Sequence, residues 1–391
     1  MGYKVSADIV SKSVTLLVTI AAARALPAAD FGVLALAMTT GWLLGVASDG
    51  GLPMYLATRV AHADTAGTPV YPIARAVSHR RTELTIVAVL AGTAMGAALV
   101  PFPVLVPFML IVLHQLFGAM LDTVCHAFRG LGRTDIESSL TLAHRGAVAA
   151  GAMTVLVVHP TLLGLSLALA APPLVALVAA RAILRLLTAD GPPFALTHRR
   201  MLTEVAPLGL GVLLSALYFR CDVYFIERLH GIETVGVYNA AFRIVDALRL
   251  FPAAALAVVY PWLCAATDER PVRRLSMWLL SAAALAGMAV FVSASGLLVL
   301  VYGPAFAVGA QALQILAWCL PLFYVNYALT HQLIAWDGQR VYLAIAGVAL
   351  LTNLAGNAVL IPEGGMTGAA VSTLLTELVV LLGCAQALVR R

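Results

Sequence analysis

The stretch from Thr161 to Leu187 reads TLLGLSLALAAPPLVALVAARAILRLL. No charged residue interrupts it before Arg181, and about 20 apolar residues in succession is the length an α-helix needs to cross the hydrocarbon core of a bilayer. The paired Pro172 and Pro173 do not argue against a helix, because backbone groups freed inside a membrane are re-satisfied by neighbouring helices. Runs of similar length recur along the chain. A transmembrane barrel would instead show segments of about ten residues with alternating polarity. The composition agrees: 61% of the 391 residues are hydrophobic and 11% charged, with a mean hydropathy of +0.95. Soluble domains carry about 25% charged residues, so a water-soluble fold is excluded and most of the outer surface must face lipid.

Outward from this run, twelve helices are predicted, over 6–26, 32–60, 82–101, 103–127, 136–158, 161–187, 204–227, 233–263, 276–301, 306–334, 340–360 and 367–388. The fold class is therefore all-α integral membrane. Sixteen Lys and Arg residues, among them Lys4, Arg75, Arg80, Arg81, Arg129, Arg199, Arg200, Arg273 and Arg391, fall at loops and helix ends on one side, against Arg24 and Arg228 on the other. By the positive-inside rule this places both termini in the cytoplasm of a multi-pass inner-membrane protein. The same asymmetry accounts for the pI of 9.1, and without a basic soluble module no nucleic-acid partner is expected. The N-terminal MGYKVSADIVSKSVTLLVTI lacks a small-residue cleavage site and reads as a retained first helix. Cys125, Cys221, Cys264, Cys319 and Cys384 are scattered in or beside apolar spans without CxxC spacing, which implies neither a metal site nor a disulfide.

A repeat with a shift of 204 to 206 residues organises the chain. Phe31-Gly32-Val33-Leu34-Ala35-Leu36-Ala37 aligns with Val235-Gly236-Val237-Tyr238-Asn239-Ala240-Ala241, Asp64 with Asp268, Leu116-Phe117 with Leu322-Phe323, and Gly132-Arg133 with Gly338-Gln339. The repeating unit is six helices. An even number sends both halves into the membrane in the same direction, so the halves are expected to be related by a pseudo-two-fold axis along the membrane normal. The expected division is an N-terminal lobe over 1–190, a cytoplasmic linker over 191–203 within the polar stretch TADGPPFALTHRRMLT, and a C-terminal lobe over 204–391. A translocation path is expected between such lobes.

Ionisable groups inside a bilayer cost at least about 2.5–3.5 kcal/mol each and are functional candidates by default. Here they are Lys12, Asp49, Arg59, His114, Asp122, Arg145, Arg220, Asp222, Arg243, Asp246, Arg249 and Glu377. Arg243, Asp246 and Arg249, at i, i+3 and i+6, share one face of the predicted helix 233–263. Arg220 and Asp222 are two apart, about 200° around a continuous helix, and are expected to meet groups on different neighbours. An excess of arginine suggests an anionic substrate, because the guanidinium fork matches phosphate oxygens and stays protonated when desolvated. The alternative is mutual neutralisation between packed helices, and Arg24 and Arg59 lie close enough to helix ends to snorkel. Asp49, Asp122, Asp222, Asp246 and Glu377 are candidates for ion coupling or gating, with a proton or sodium as the coupling ion and no other cofactor. His114 and His126 could titrate near neutral pH. Gly41 and Gly45, and Gly92 and Gly96, form GxxxG pairs that permit close helix contact.

The stretch Ala23-Arg24-Ala25-Leu26-Pro27-Ala28-Ala29-Asp30-Phe31-Gly32-Val33-Leu34-Ala35 resembles the "aRxLgpxdyGlya" signature of bacterial polysaccharide biosynthesis proteins, the Wzx-type oligosaccharide flippases of the MOP (multidrug/oligosaccharidyl-lipid/polysaccharide, MATE-like) superfamily. Asp49-Gly50-Gly51-Leu52 with Arg59 is similar to the family's "DxGl…R". Ala206-Pro207-Leu208-Gly209 through Tyr218-Phe219-Arg220-Cys221-Asp222, Gly236-Val237-Tyr238-Asn239-Ala240-Ala241-Phe242-Arg243-Ile244-Val245 and Gly365-Met366-Thr367-Gly368-Ala369-Ala370 continue the likeness. The resemblance implies two six-helix lobes that alternate between inward and outward openings. It implies translocation of a polyprenyl-diphosphate-linked oligosaccharide or repeat unit, with Arg24, Arg59 and Arg243 at the positions that hold the diphosphate in related flippases. Without a thirteenth and fourteenth helix, a dedicated peptidoglycan-precursor flippase is the lesser expectation. The stretch over 161–187 also lacks the glycine-alanine start seen at the last helix.

Expected partners are the lipid-linked oligosaccharide, membrane lipids and the glycosyltransferases or polymerase of the same pathway. A cation-coupled multidrug exporter of the same superfamily would want an anionic cavity, whereas the intramembrane charge here is net basic. A polysaccharide polymerase or ligase would want a sizeable outer loop carrying catalytic groups, and no nucleophile–base set, paired carboxylates or metal spacing is found. The expectation is a transporter and not an enzyme.

Overall fold

In a computed structural model the backbone is described over residues 2–194, 205–249, 270–335 and 338–389. Among the described residues there is no strand, and nine helices are long and apolar enough to cross a membrane. The chain is a multi-pass, all-helical membrane protein. It divides into two compact units, Met1–Leu213 and Leu214–Arg391. Residues 195–203 of the expected linker, residues 250–263 of one predicted span, Cys264, Asp268 and the side chain of Lys12 lie outside the described set.

The first unit contains α1 (Gly2–Ala25), α2 (Ala28–Asp49), α3 (Leu52–Thr65), α4 (Tyr71–Leu99), α5 (Phe102–Gly130), α6 (Thr134–Val158), α7 (Leu162–Leu187) and the start of α8 (Ala206–Arg220). Helix α5 is the hub, packed by α2, α3, α4, α6 and α7. Its buried Leu121, Val124 and Phe128 meet Leu56 and Val60 of α3, Val77 of α4 and Ala180 and Leu184 of α7. The two GxxxG pairs serve this hub: a Cβ at Gly41 would stand 2.8 Å from that of Gln115, and one at Gly96 would stand 2.8 Å from Leu105 Cδ1.

The predicted span 32–60 is two helices. Gly50 and Gly51 both adopt positive φ (56° and 87°), so α2 stops at Asp49 and α3 restarts at Leu52 with Pro53 in its first turn. The start of α8 abuts this turn, where a Cβ at Gly209 would lie 2.3 Å from the Gly50 carbonyl carbon. Helix α4 begins eleven residues before the predicted span 82–101, so Arg75, Arg80 and Arg81 sit on a helix and not in a loop.

The second unit contains the rest of α8, α9 (Asp222–His230), α10 (Ile232–Leu248), α11 (Arg270–Tyr302), a short 3₁₀ turn (Pro304–Gly309), α12 (Ala310–Ala335) and α13 (Gln339–Val389). The predicted helix 204–227 divides at Cys221, where α8 ends and α9 begins. Predicted spans 340–360 and 367–388 are the two arms of α13, which turns at Gly365 (φ 51°, ψ −128°) with no intervening loop. The arms run antiparallel: Asn353 meets Thr376, Gly356 lies against Ser372, and a Cβ at Gly368 would stand 2.1 Å from the Leu360 carbonyl oxygen. Helix α12 packs on both α11 and α13, and α9 packs on α13.

Candidate functional site

At Cys221 the backbone stays right-handed helical (φ −72°, ψ −17°). Arg220 and Asp222, on either side of it, both reach one neighbour, α10, at its consecutive residues Asn239 and Tyr238, which corrects the expectation of separate partners. Arg220 donates from Nη2 to Asn239 Oδ1 at 2.8 Å, and the Tyr238 hydroxyl donates a short hydrogen bond to Asp222, which also accepts from the Val223 amide at 2.9 Å. Arg220 is 7% exposed and Asp222 1% exposed. The guanidinium of Arg220 lies over the ring of Phe242, 4.6 Å from its centroid.

A buried network continues from Cys221 into α13. Cys221 Sγ donates to Asn353 Oδ1 at 3.0 Å, Asn357 Nδ2 donates to the same oxygen at 2.8 Å, and Asn353 Nδ2 donates to Thr376 Oγ1 at 3.1 Å. Asn326 of α12 donates from Nδ2 to both the side chain and the backbone carbonyl of buried Glu377, at 2.7 and 2.9 Å. These asparagines were missed from the sequence, because only charged groups were counted. Their signal was visible: Asn353 and Asn357 are at i and i+4 in an apolar helix.

One turn further along α10 the setting opens. Arg243 Nη1 lies 3.8 Å from one Asp246 carboxylate oxygen and Arg249 Nη1 3.6 Å from the other, with side-chain exposures of 29%, 31% and 39% for Arg243, Arg249 and Asp246. The i, i+3, i+6 row is therefore brought together on one face. Neither guanidinium makes a hydrogen bond among the described residues, so two forks straddle one carboxylate without donating to it. Arg249 also sits over two rings, 4.1 Å from the Phe219 centroid and 4.4 Å from that of Phe323.

In the first unit the charges are dispersed. Arg24 is exposed in the last turn of α1, and Arg59 lies over the Tyr55 ring at 5.2 Å. Asp49 accepts the Gly51 amide at 3.0 Å, which fastens the α2–α3 turn. Asp122 is exposed and 3.7 Å from His126 Nδ1. Arg145 donates to Thr15 Oγ1 at 3.3 Å, and His114 is buried with Nδ1 2.7 Å from the Leu169 carbonyl. Arg81, expected as a charge at a helix end, is 1% exposed and donates from Nη2 to the Gly45 carbonyl at 3.1 Å, with Nε and Nη1 unpartnered among the described residues. The early start of α4 carries it inside. Outside the spans, Arg133 is held above its ordinary pKa by a hydrogen bond of 3.0 Å to Asp135. Among the described residues no group of three His, Cys, Asp or Glu side chains is placed to hold a metal ion.

Residues 1–266 match the family described as polysaccharide biosynthesis protein. No curated protein matches the chain. Among solved structures, a multidrug resistance MATE family transporter of the MOP superfamily in an inward-facing conformation is similar at a TM-score of 0.70 and 14% identity, covering 96% of this chain and 94% of its own. The lipid II flippase MurJ in an inward closed conformation gives a TM-score of 0.66 at 9% identity, over 99% of this chain and 87% of its own. A MOP superfamily transporter from Pyrococcus furiosus, described as having a binding pocket of reverse polarity, gives 0.62 at 14% identity, over 98% of this chain and 94% of its own. At these identities the likeness is one of fold.

Proposed function

The chain belongs to the polysaccharide biosynthesis protein family and has the MOP-superfamily fold, and on that premise we propose that it is a flippase. Its substrate is a polyprenyl-diphosphate-linked oligosaccharide or repeat unit, moved across the cytoplasmic membrane by alternating access. Both termini lie in the cytoplasm, on the side the cations favour. The glycosyltransferases and polymerase that make and extend the glycan are its functional partners.

The observation that carries this reading is the open row on α10. Arg243 and Arg249 share one carboxylate at distances longer than a hydrogen bond, and both are about one-third exposed. Phosphate oxygens arriving there would exchange a loose, shared ion pair for direct charge-assisted hydrogen bonds to two planar forks. In apolar surroundings such bonds are worth more than at a wet surface. In the first unit, Arg24 and Arg59 are the positions that the family resemblance assigns to the diphosphate. Arg220 is already committed to Asn239 and Phe242, so its part is to tie the end of α8 to α10. Among the acids, Asp222 is the coupling group: it is sealed behind Tyr238 and next to the asparagine network, where a change of charge must be answered by repacking.

The test is flipping of a fluorescent polyprenyl-diphosphate glycolipid in reconstituted vesicles. Arg243→Ala and Arg249→Ala are expected to lose translocation while remaining folded in detergent. Full flipping by the double variant would overturn the reading, and export of cationic dyes by the wild type without lipid movement would replace it with that of a drug exporter.

A further inference from the structure

We propose that Phe219 and Phe323 are positioning residues that hold the Arg249 guanidinium at one orientation for the diphosphate; this rests on the flippase reading above. Arginine has a long side chain, and in an open site it would sweep through many rotamers. The one charged group within ion-pair distance of Arg249 among the described residues, Asp246, is 3.6 Å away and does not fix it. The rings do. The guanidinium carbon lies over Phe219 at 4.1 Å and over Phe323 at 4.4 Å, in a notch between rings whose centroids are 5.9 Å apart at 71°. An aromatic face attracts the cation through its quadrupole and accepts no N–H hydrogen bond of ordinary strength. The notch therefore restrains the fork without using its donors.

The notch is itself braced. Phe219 meets Phe242 edge to face, 5.0 Å between centroids at 76°, and Phe242 lies under the guanidinium of Arg220 at 4.6 Å. Two cations and three rings thus form one connected row, Arg220, Phe242, Phe219, Arg249, Phe323, across α8, α10 and α12. The far end is anchored, because Arg220 is hydrogen-bonded to Asn239 and buried. Phe323 is 3% exposed and Phe242 1%, so the rings at the two outer steps cannot swing away. Preorganisation of this kind favours a ligand that needs two or more donors in fixed positions over one that needs a single charge. A diphosphate is the first kind and a monophosphate presents less of it.

The experiment uses the purified full-length protein and farnesyl diphosphate and farnesyl monophosphate as probes, measured by calorimetric binding, with flipping measured in vesicles. Phe219→Leu and Phe323→Leu are expected to weaken diphosphate binding about tenfold and to narrow its preference over the monophosphate. Phe219→Tyr and Phe323→Tyr, which keep the ring, are expected to stay within about twofold of wild type. Phe323→Met keeps the bulk without the ring and should behave as Phe323→Leu does, which separates the clamp from simple packing should the leucine variant unfold. Should the leucine and methionine variants bind as wild type does while Arg249→Ala loses binding, the clamp is wrong and the flippase reading stands. Equal binding by wild type, Arg249→Ala and the ring variants would bring down the diphosphate reading itself, and the clamp with it.

Discussion

Arg220 and Arg243 are both arginines in the second unit of an apolar protein, one bonded to α10 and the other carried by it, and their surroundings are opposite. Arg220 is 7% exposed, donates to Asn239 and lies on a ring. Arg243 is about one-third exposed, has no side-chain hydrogen bond among the described residues and has only a 3.8 Å approach to a carboxylate it shares with Arg249. A buried charge that is fully matched is structure, because its removal leaves partners desolvated and unpaired. A half-exposed charge with idle donors is available to a ligand. The two settings lie at successive turns of one element, so residue type alone does not tell them apart.

The largest effect that could break this contrast is on folding. Arg220→Ala is expected to cost about 1.5–3 kcal/mol, since it leaves the buried Asn239 oxygen without its charged donor, and should be seen as lowered expression or a lowered melting temperature. If Arg220→Ala were stable and Arg243→Ala were not, the assignment of roles would be inverted. Next, Tyr238→Phe removes the hydroxyl that donates to buried Asp222 and is expected to cost about 1–2 kcal/mol by thermal unfolding in detergent. Arg243→Ala should leave the melting temperature near that of wild type while flipping falls at least about tenfold, an effect of about 1.4 kcal/mol on the barrier. Asp222→Asn sharpens the comparison from the sealed side: substrate binding is expected to persist while the dependence of flipping on pH and sodium changes. An unchanged dependence would remove Asp222 from coupling. The smallest effect is expected at Asp122, which is exposed and 3.7 Å from His126, where Asp122→Asn should shift neither stability nor diphosphate binding measurably.

Much of the architecture was legible in the amino-acid sequence because bilayer thickness imposes a length that apolar runs must meet, and the run over 161–187 meets it plainly. The breaks were less plain. Gly50 and Gly51 follow Asp49 and precede Pro53, a turn-and-restart signal that was outweighed by the apolar runs on either side in the reading of one helix over 32–60. Cys221 carries no helix-breaking chemistry and its backbone stays right-handed helical (φ −72°, ψ −17°), so what the sequence did not show is that Arg220 and Asp222 would share one partner helix. Arg81 was misplaced for a related reason: it was counted as a helix-end charge because the apolar run begins after it, whereas α4 starts at Tyr71. The row at 243, 246 and 249 was legible because its spacing is intrinsic to one helix. The clamp was not, since Phe219, Phe242 and Phe323 come together only through the packing of three helices.

The hairpin of α13 has a consequence for how the protein is made. Its two arms meet at Gly365, with Gly368 against the Leu360 carbonyl and Asn353 bonded to Thr376. The first arm cannot satisfy Asn353 Nδ2 from its own residues while it waits alone in lipid. The two are therefore expected to complete each other as they leave the insertion machinery, and a ribosome stalled between them would leave Asn353 Nδ2 without Thr376. Lengthening the turn at Gly365 would be felt first as slow maturation and degradation of the nascent chain, before any change in what the finished protein carries.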